Sequence, residues 1–230
     1  ALPLVAVLLG ALGMITQGVQ AEDLVIPLEL PQPNFVGVGI GSYPDYFGSD
    51  EQALGAGPIA RISLGGNRFA RLVVNDLRVN LLDHSNWQFG PAAVWRFGRE
   101  DVDDRVVRKV HEIDQSLSLG AFGGYIWRDP VELRRQAGVG GWALGDVTGA
   151  YGGWTAGLNA FAMQPVARMV SLAGGAAFTY ASENYMAEYF GVTADDSLAS
   201  GLPVYTPGGG VRDARAWLVA LVHLGPQWPV

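Results

Sequence analysis

The chain has 230 residues, of which 32 are glycine, none is cysteine and only 16% are charged, and its net charge at pH 7 is −7. The lack of cysteine excludes a disulfide framework, thiol catalysis and cysteine-based zinc sites, and the negative charge provides no basic surface for nucleic acid. Ordinary soluble domains have about a quarter charged residues. Outside the N-terminus no run of about 20 apolar residues indicates a membrane helix. No linker divides the chain, which is therefore predicted to form one domain.

Residues 1–21 have the features of a partial secretory signal peptide. An apolar run from Leu2 to Ile15 is followed by a polar stretch that ends at Ala21 in a small-residue cleavage pattern. The alternative is an N-terminal membrane anchor, for which the apolar run is short. We expect export and a mature domain over residues 22–230.

The first strand signal is a strict alternation of apolar residues and glycine in the segment FVGVGIGSY. Val36, Val38 and Ile40 share one face, and glycines occupy the other. An apolar face toward lipid and a bare face toward a lumen are typical of a membrane barrel wall. Residues 54–64 repeat the pattern, and Arg61 is predicted to face the interior because an arginine on the lipid side would be unfavourable.

Residues 87–97 alternate in the same way and carry aromatic residues near both ends. Trp87 lies near one end, and Trp95 and Phe97 lie near the other, as in the aromatic girdles of membrane barrels. The alternative is a soluble β-core in which these rings pack against one another.

The remaining segments predict more strands at hairpin spacing with no helix between them. The strands are expected at 69–75 and 77–82 (one bent strand or two), 116–127, 133–145, 151–163, 168–181 and 214–225. The charged residues 98–115 predict a water-facing loop with a helical turn. About nine or ten such strands predict an all-β fold, an antiparallel up-and-down transmembrane β-barrel.

Tyr189 to Asp213 form the least regular stretch, YFGVTADDSLASGLPVYTPGGGVRD. It has neither strand nor helix periodicity, and its prolines, glycines and aromatics predict a structured loop. This stretch and the segment GVGIGSYPDYFGSDEQ (37–52) resemble two signature segments of the MipA/OmpV family of Gram-negative outer-membrane proteins, named for interaction with a murein transglycosylase. The resemblance covers about residues 35–220.

The resemblance implies a barrel of about 10–12 strands in the cell outer membrane, in contact with outer-membrane lipid. The family's C-terminal strands are expected to be missing from this chain after Gly225. If a partner-binding surface exists, we expect it in the signature loop. The candidate residues there are Tyr189, Phe190, Gly191, Ser197, Ser200, Gly201, Pro203, Tyr205 and Gly210, and those of the first turn are Gly41, Tyr43, Pro44, Tyr46, Gly48 and Ser49.

Chemical motifs are weak in this sequence. His84, His111 and His223 have no second ligand at metal spacing, so neither a metal nor another cofactor is predicted. Asp83, His84 and Ser85 are adjacent, whereas catalytic triads are assembled from distant positions. Acidic residues around 183–196 could form a rim for a cation or a basic peptide, although solvation of an exposed loop is the simpler interpretation.

Three functions are therefore considered. The resemblance implies a non-enzymatic scaffold that links a murein hydrolase, the transglycosylase, to a murein synthase during growth of the peptidoglycan wall. The glycine-lined faces suggest instead a small passive channel, although a barrel of this size can be filled by its own side chains. An outer-membrane hydrolase is the remote third alternative.

Overall fold

The computed structural model describes residues 34–44, 52–99 and 104–222, and over these ranges the fold is all-β. Ten strands form one antiparallel sheet in which each strand pairs with the next along the chain. They are β1 (Phe35–Pro44), β2 (Gln52–Gly65), β3 (Arg68–Val73), β4 (Asp76–Asn80), β5 (Trp87–Arg96), β6 (Ser116–Arg128), β7 (Gln136–Asp146), β8 (Trp154–Ala167), β9 (Val170–Ala181) and β10 (Gly210–Val222). The predicted up-and-down architecture is confirmed. Within the described residues no ladder joins β1 to β10.

Several predicted features lie outside the described residues. They are the signal peptide, the last three residues of the predicted final strand, and Tyr46, Gly48 and Ser49 of the first turn. In the described part of the chain, none of the helices is both long and apolar enough to cross a membrane.

The two faces of the sheet have the reverse of the polarity found in a soluble protein. Large apolar side chains point outward, with Val36 76% and Leu158 68% exposed, whereas Ser118 and Ser171 on the inner face are fully buried. Soluble domains bury apolar side chains and expose polar ones, so an apolar outer face and a polar interior indicate a lipid-facing barrel wall. Trp87 is 53% exposed, which contradicts the alternative of a soluble core packed with these rings.

Arg61 lies on the inner face, as predicted. It is opposite Arg71 in the β2–β3 ladder, and paired residues of antiparallel strands share a face. Its guanidinium carbon lies 4.4 Å from the ring centroid of Phe69, a side chain that is only 4% exposed.

Exposed aromatic residues form a belt near each end of the wall. Trp87 and Tyr125 contact each other at one end, with ring centroids 5.0 Å apart, and Trp154 and Tyr180 stack at the other, at 5.7 Å. Trp87 and Trp95 lie at the two ends of β5. Their separation corresponds to about 27 Å along the strand, or about 20 Å across the membrane at a tilt of about 40°. This height is close to the apolar band of about 25 Å in outer-membrane barrels.

The connections differ in length between the two ends of the sheet. We call the end with connections 66–67, 81–86, 129–135 and 168–169 the short-turn end. The opposite end, with connections 74–75, 97–115, 147–153 and 182–209, is the long-connection end, and β1 ends and β2 begins there. Of the two alternatives for residues 69–82, two separate strands are observed, joined by a tight turn at 74–75.

Aromatic rings fill much of the space that the inner-face glycines leave. A Cβ atom at Gly157 would lie 2.1 Å from Cζ2 of Trp142, so the indole ring occupies the place of a side chain there. Trp142 belongs to a buried cluster that spans several strands. The guanidinium of Arg78, which is ion-paired to Asp76 at 2.8 Å, lies 5.6 Å from the Trp142 ring centroid. The glycines therefore make room for packing as well as for lumen space.

Candidate functional site

The signature stretch contains the end of one helix and all of a second, whereas the sequence predicted a structured loop with no helix periodicity. Helix α1 (Glu183–Phe190) and helix α2 (Ala194–Ser200) both lie in the connection between β9 and β10. The local signals were present in the sequence: Ser182 and Thr193 are N-caps, and Gly201 adopts the left-handed conformation that ends α2, with φ of 81°. The prediction that no helix separates the strands was therefore wrong for β9 and β10, which α1 and α2 separate.

Helix α1 packs onto the sheet interior at the long-connection end through three tyrosine rings. Tyr185 is fully buried and Tyr189 is 6% exposed. Their rings stack at 4.4 Å, and Tyr151 meets Tyr185 edge to face at 5.0 Å. The same cluster contains Ile113 and Ala181, so the connections 97–115, 147–153 and 182–209 converge on one hydrophobic centre.

Arg96 anchors this centre to the barrel wall. Its side chain is buried near the end of β5, donates a hydrogen bond to the hydroxyl of Tyr151 at 3.1 Å and another to Ser118, and lies over the rings of Tyr151 and Tyr185. Ser118 and Tyr151 are themselves joined at 2.6 Å. Desolvated cation–π contacts contribute about 2 kcal/mol each, so this arginine stabilises the helix against the wall.

A β-bulge in β10 brings two successive side chains to the same interior. The register with β9 shifts between Val211 and Asp213, so Arg212 is the extra residue. The side chains of Arg212 and Asp213 are only 1% and 10% exposed and form a 2.6 Å ion pair, and Arg212 donates to the hydroxyl of Tyr185 at 2.9 Å. Arg215 pairs with the same carboxylate at 2.8 Å. The predicted start of the last strand, at 214, was late because a bulge breaks the alternation of period two.

Helix α2 is fastened to the charged connection 97–115 by Asp196 and His111. The Asp196 carboxylate accepts the backbone N–H of His111 at 2.7 Å and lies 2.8 Å from its ring Nδ1, while Nε2 lies 3.0 Å from the carbonyl oxygen of Glu188. Burial alone would raise the pKa of Asp196. The hydrogen bonds from the His111 ring, from Thr193 and from the His111 backbone outweigh burial and hold this pKa well below its usual range.

This contact corrects one interpretation of the acidic residues. Asp196 is only 5% exposed, so it does not solvate the loop, whereas Glu183 and Asp195 are exposed as expected. Within the described ranges, no group of three or more histidine or acidic side chains could hold a metal ion.

Residues 83–85 serve the turn in which they lie. His84 accepts backbone N–H groups of Asn86 and Trp87 on Nδ1, at 3.0 and 3.1 Å. The Ser85 hydroxyl donates to the Asn86 side chain at 2.7 Å, and Asp83 accepts from the backbone of Asn67 at 2.8 Å. The three side chains therefore face different neighbours and not one another.

Comparison of the sequence with protein families gives a match that includes both the signature segment and the strands of the wall. Residues 36–230 match the family described as MltA-interacting protein MipA. The chain belongs to the MipA family. Searches of curated proteins and of solved structures found no match. As a MipA-type protein with an apolar outer wall, the chain is an outer-membrane protein.

The MipA signature residues divide into a structural and an exposed group. In the structural group, Ser197 donates to the Leu202 carbonyl at 2.6 Å, and Ser200 donates to the Asp196 carbonyl at 2.6 Å. Tyr205 is 56% exposed, although its backbone pairs with that of Val192. The other signature residues in the described ranges lie as follows: Tyr189 and Phe190 in α1, Gly191 and Gly201 at helix C-termini, Pro203 exposed, Gly210 at the start of β10, and Gly41, Tyr43 and Pro44 in β1.

Proposed function

We propose that this MipA-family chain is a non-enzymatic outer-membrane scaffold with a blocked lumen, which binds a murein transglycosylase and a murein synthase. The observation that carries the proposal is the filling of the inner face of the sheet. At the long-connection end α1 and the tyrosine centre occupy the interior, and nearer the middle of the strands Trp142 and Arg78 occupy it. The partner enzymes come from the family's description as MltA-interacting. Export by a signal peptide ending at residue 21 belongs to the same proposal.

The same observation disfavours the passive channel. A channel needs a continuous water-filled path, whereas small barrels are filled by their own side chains. Here an inner-face glycine further along the sheet is covered, at Gly157 beneath Trp142. The hydrolase alternative receives no support from residues 83–85, whose side chains cap a turn.

The signature residues keep their proposed role as a contact surface in part. Of the candidate residues, Pro203 and Tyr205 are exposed, and so are their neighbours Leu198 and Val204, so this surface can meet a partner. Tyr189 is buried, so it does not contact a partner directly and contributes only by positioning α1. Murein enzymes are periplasmic, so they can contact only the end of the barrel that faces the periplasm. The orientation of the chain in the membrane therefore determines which surface is available to them.

The test is affinity purification of the tagged chain from envelopes solubilised in mild detergent, followed by immunoblots for the two enzymes. The control bait is an unrelated outer-membrane barrel of similar size at equal loading. We expect the transglycosylase and the synthase with the tagged chain and not with the control. Recovery of neither enzyme from envelopes that contain both would overturn the scaffold role.

A further inference from the structure

The connection 129–135 at the short-turn end is a rigid turn with an apolar tip. Asp129 accepts the backbone N–H groups of Val131 and Glu132 at 2.9 and 3.1 Å, and its own N–H donates to the Arg135 carbonyl at 2.9 Å. These bonds, from Glu132 and then Val131, lower the pKa of the Asp129 carboxyl. Val131 is held at the tip and is 88% exposed. A well-ordered turn thus presents an apolar side chain to solvent.

Arginines fasten this turn to the neighbouring one. Arg134 forms a bidentate ion pair with Glu132, at 2.9 Å for both contacts, and donates to the carbonyl of Arg168 at 2.9 Å. Arg135 donates to the side chain of Gln164 at 3.0 Å. Residues 128–135 and 164–169 therefore form one surface, which we call the short-turn platform.

The platform combines apolar and basic groups. Besides Val131, it exposes Leu133 (43%), Val166 (55%) and Met169 (49%). Its charged residues are four arginines (128, 134, 135 and 168) and two carboxylates (129 and 132), a net charge of +2 on a chain of net charge −7. Exposed apolar groups among arginines are typical of protein-binding surfaces. A lipid-headgroup site would instead be uniformly basic, so the two carboxylates favour a protein partner.

The long-connection end has a net negative charge, in contrast to the net positive charge of the short-turn platform. The described parts of its connections (74–75, 97–99, 104–115, 147–153 and 182–209) contain seven acidic and four basic residues. An acidic partner would be repelled there and attracted to the platform. In outer-membrane barrels short turns face the periplasm and longer loops face outward, which places the platform on the side where murein enzymes reside.

We propose that the short-turn platform is the periplasmic docking surface of this chain, and that it accepts an acidic, partly apolar face of the murein transglycosylase. The proposal rests on the proposed scaffold function for the identity of the partner. On this proposal, the main contact with the partner lies at the short-turn end and not at the exposed signature residues of the long-connection end. Apolar contact at Val131 supplies the affinity, and the arginines supply the rate of association and its salt dependence.

The orientation can be tested independently of any partner, because the chain has no cysteine of its own. The variants Val131→Cys and Leu198→Cys place single thiols at two sites of similar exposure, 88% and 86%, at opposite ends. A membrane-impermeant maleimide should label Leu198→Cys in intact cells, and Val131→Cys only after the outer membrane is permeabilised. Labelling of Val131→Cys in intact cells would place the platform outside and overturn the proposal.

The docking itself is tested with purified soluble murein transglycosylase as the probe and the chain in lipid nanodiscs. The platform variant is Val131→Asp with Arg168→Glu, and the matched control at the other end is Leu198→Asp with Arg108→Glu, all at exposed positions. We expect the platform variant to weaken binding by about tenfold or more and the control by less than about twofold. Equal affinities of the two variants, or the reverse order, would refute the platform while leaving the scaffold function intact. Lack of binding by the unmodified chain would instead refute the scaffold function for this enzyme and the platform with it.

Discussion

Replacement of Tyr185 by alanine should release helix α1 from the barrel interior. Tyr185 is fully buried, stacks on Tyr189 at 4.4 Å and accepts a hydrogen bond from Arg212 at 2.9 Å. Truncation of a buried aromatic side chain lowers the free energy of unfolding by about 3–5 kcal/mol. A lost hydrogen bond to a charged group adds about 1.5–3 kcal/mol. Because the two terms overlap, we expect a loss of about 4–5 kcal/mol for Tyr185→Ala.

Two control variants separate the contributions. Tyr185→Phe keeps the ring and removes only the hydroxyl, so its expected loss is that of the hydrogen bond to Arg212, about 1.5–3 kcal/mol. Tyr205→Ala removes a tyrosine of the same connection that is 56% exposed, and we expect a change within about 0.5 kcal/mol.

The assay is reversible urea unfolding of the refolded protein in detergent, combined with hydrogen exchange of residues 183–200. Hydrogen exchange detects the release of α1 even if the sheet stays folded. If Tyr185→Ala matched Tyr205→Ala in both measurements, the packing of α1 against the wall would not be the stabilising contact described here.

Three further changes test other parts of the structure. Gly157→Leu should destabilise the barrel by about 1–3 kcal/mol in the same urea assay, because the new side chain would overlap the indole of Trp142; an unchanged urea midpoint would show that the ring moves freely. The folded-state pKa of Asp196 lies below its unfolded value of about 4, so its contribution to stability is present above about pH 4 and is lost as the pH falls through the folded pKa. Relative to the rate on an unstructured peptide at the same pH, pepsin should therefore cut 191–209 faster at about pH 2.5 than at about pH 5, whereas Asp196→Asn should show the same relative rate at both pH values. Val74 has a φ of 56°, which is unfavourable for a β-branched residue. Val74→Asn should therefore raise the free energy of unfolding by about 1 kcal/mol in the urea assay. A decrease would mean that the packing of the Val74 side chain matters more than its backbone strain.

Features that repeat with period two could be predicted from the sequence. The alternation around Val36 and Val38, the inward Arg61 and the outward Trp87 follow from the rule that successive strand residues face opposite sides. The polarity of each face then indicates whether lipid or lumen lies beyond it. The turn at 74–75 was left open because Val74 is not a residue that usually marks a turn.

Features that depend on distant contacts or on local exceptions could not be predicted. The contact between His111 and Asp196 joins residues 85 positions apart, and no local pattern encodes it. The bulge at Arg212 breaks the alternation on which strand prediction depends. Helix α2 is different, since Thr193 and Gly201 are cap residues that the sequence itself shows.

Filling of the interior also depends on tertiary structure. The sequence marks the glycines on the inner face but not the rings that pack over them, because Trp142 and Gly157 meet only when β7 and β8 pair. At Gly157 the missing side chain therefore leaves room for packing, and this is visible only when β7 is placed beside β8.

Planar-bilayer recording of the refolded chain tests the central claim, that side chains of the protein fill the interior and block conduction, most directly. The measurement compares the unmodified protein with a porin refolded under the same conditions as a positive control for insertion. We expect no discrete conductance steps from the unmodified protein, because the tyrosine centre and the Trp142 cluster occupy the interior. Steady unitary steps from correctly folded protein would contradict the blocked lumen and restore the passive channel as the better account.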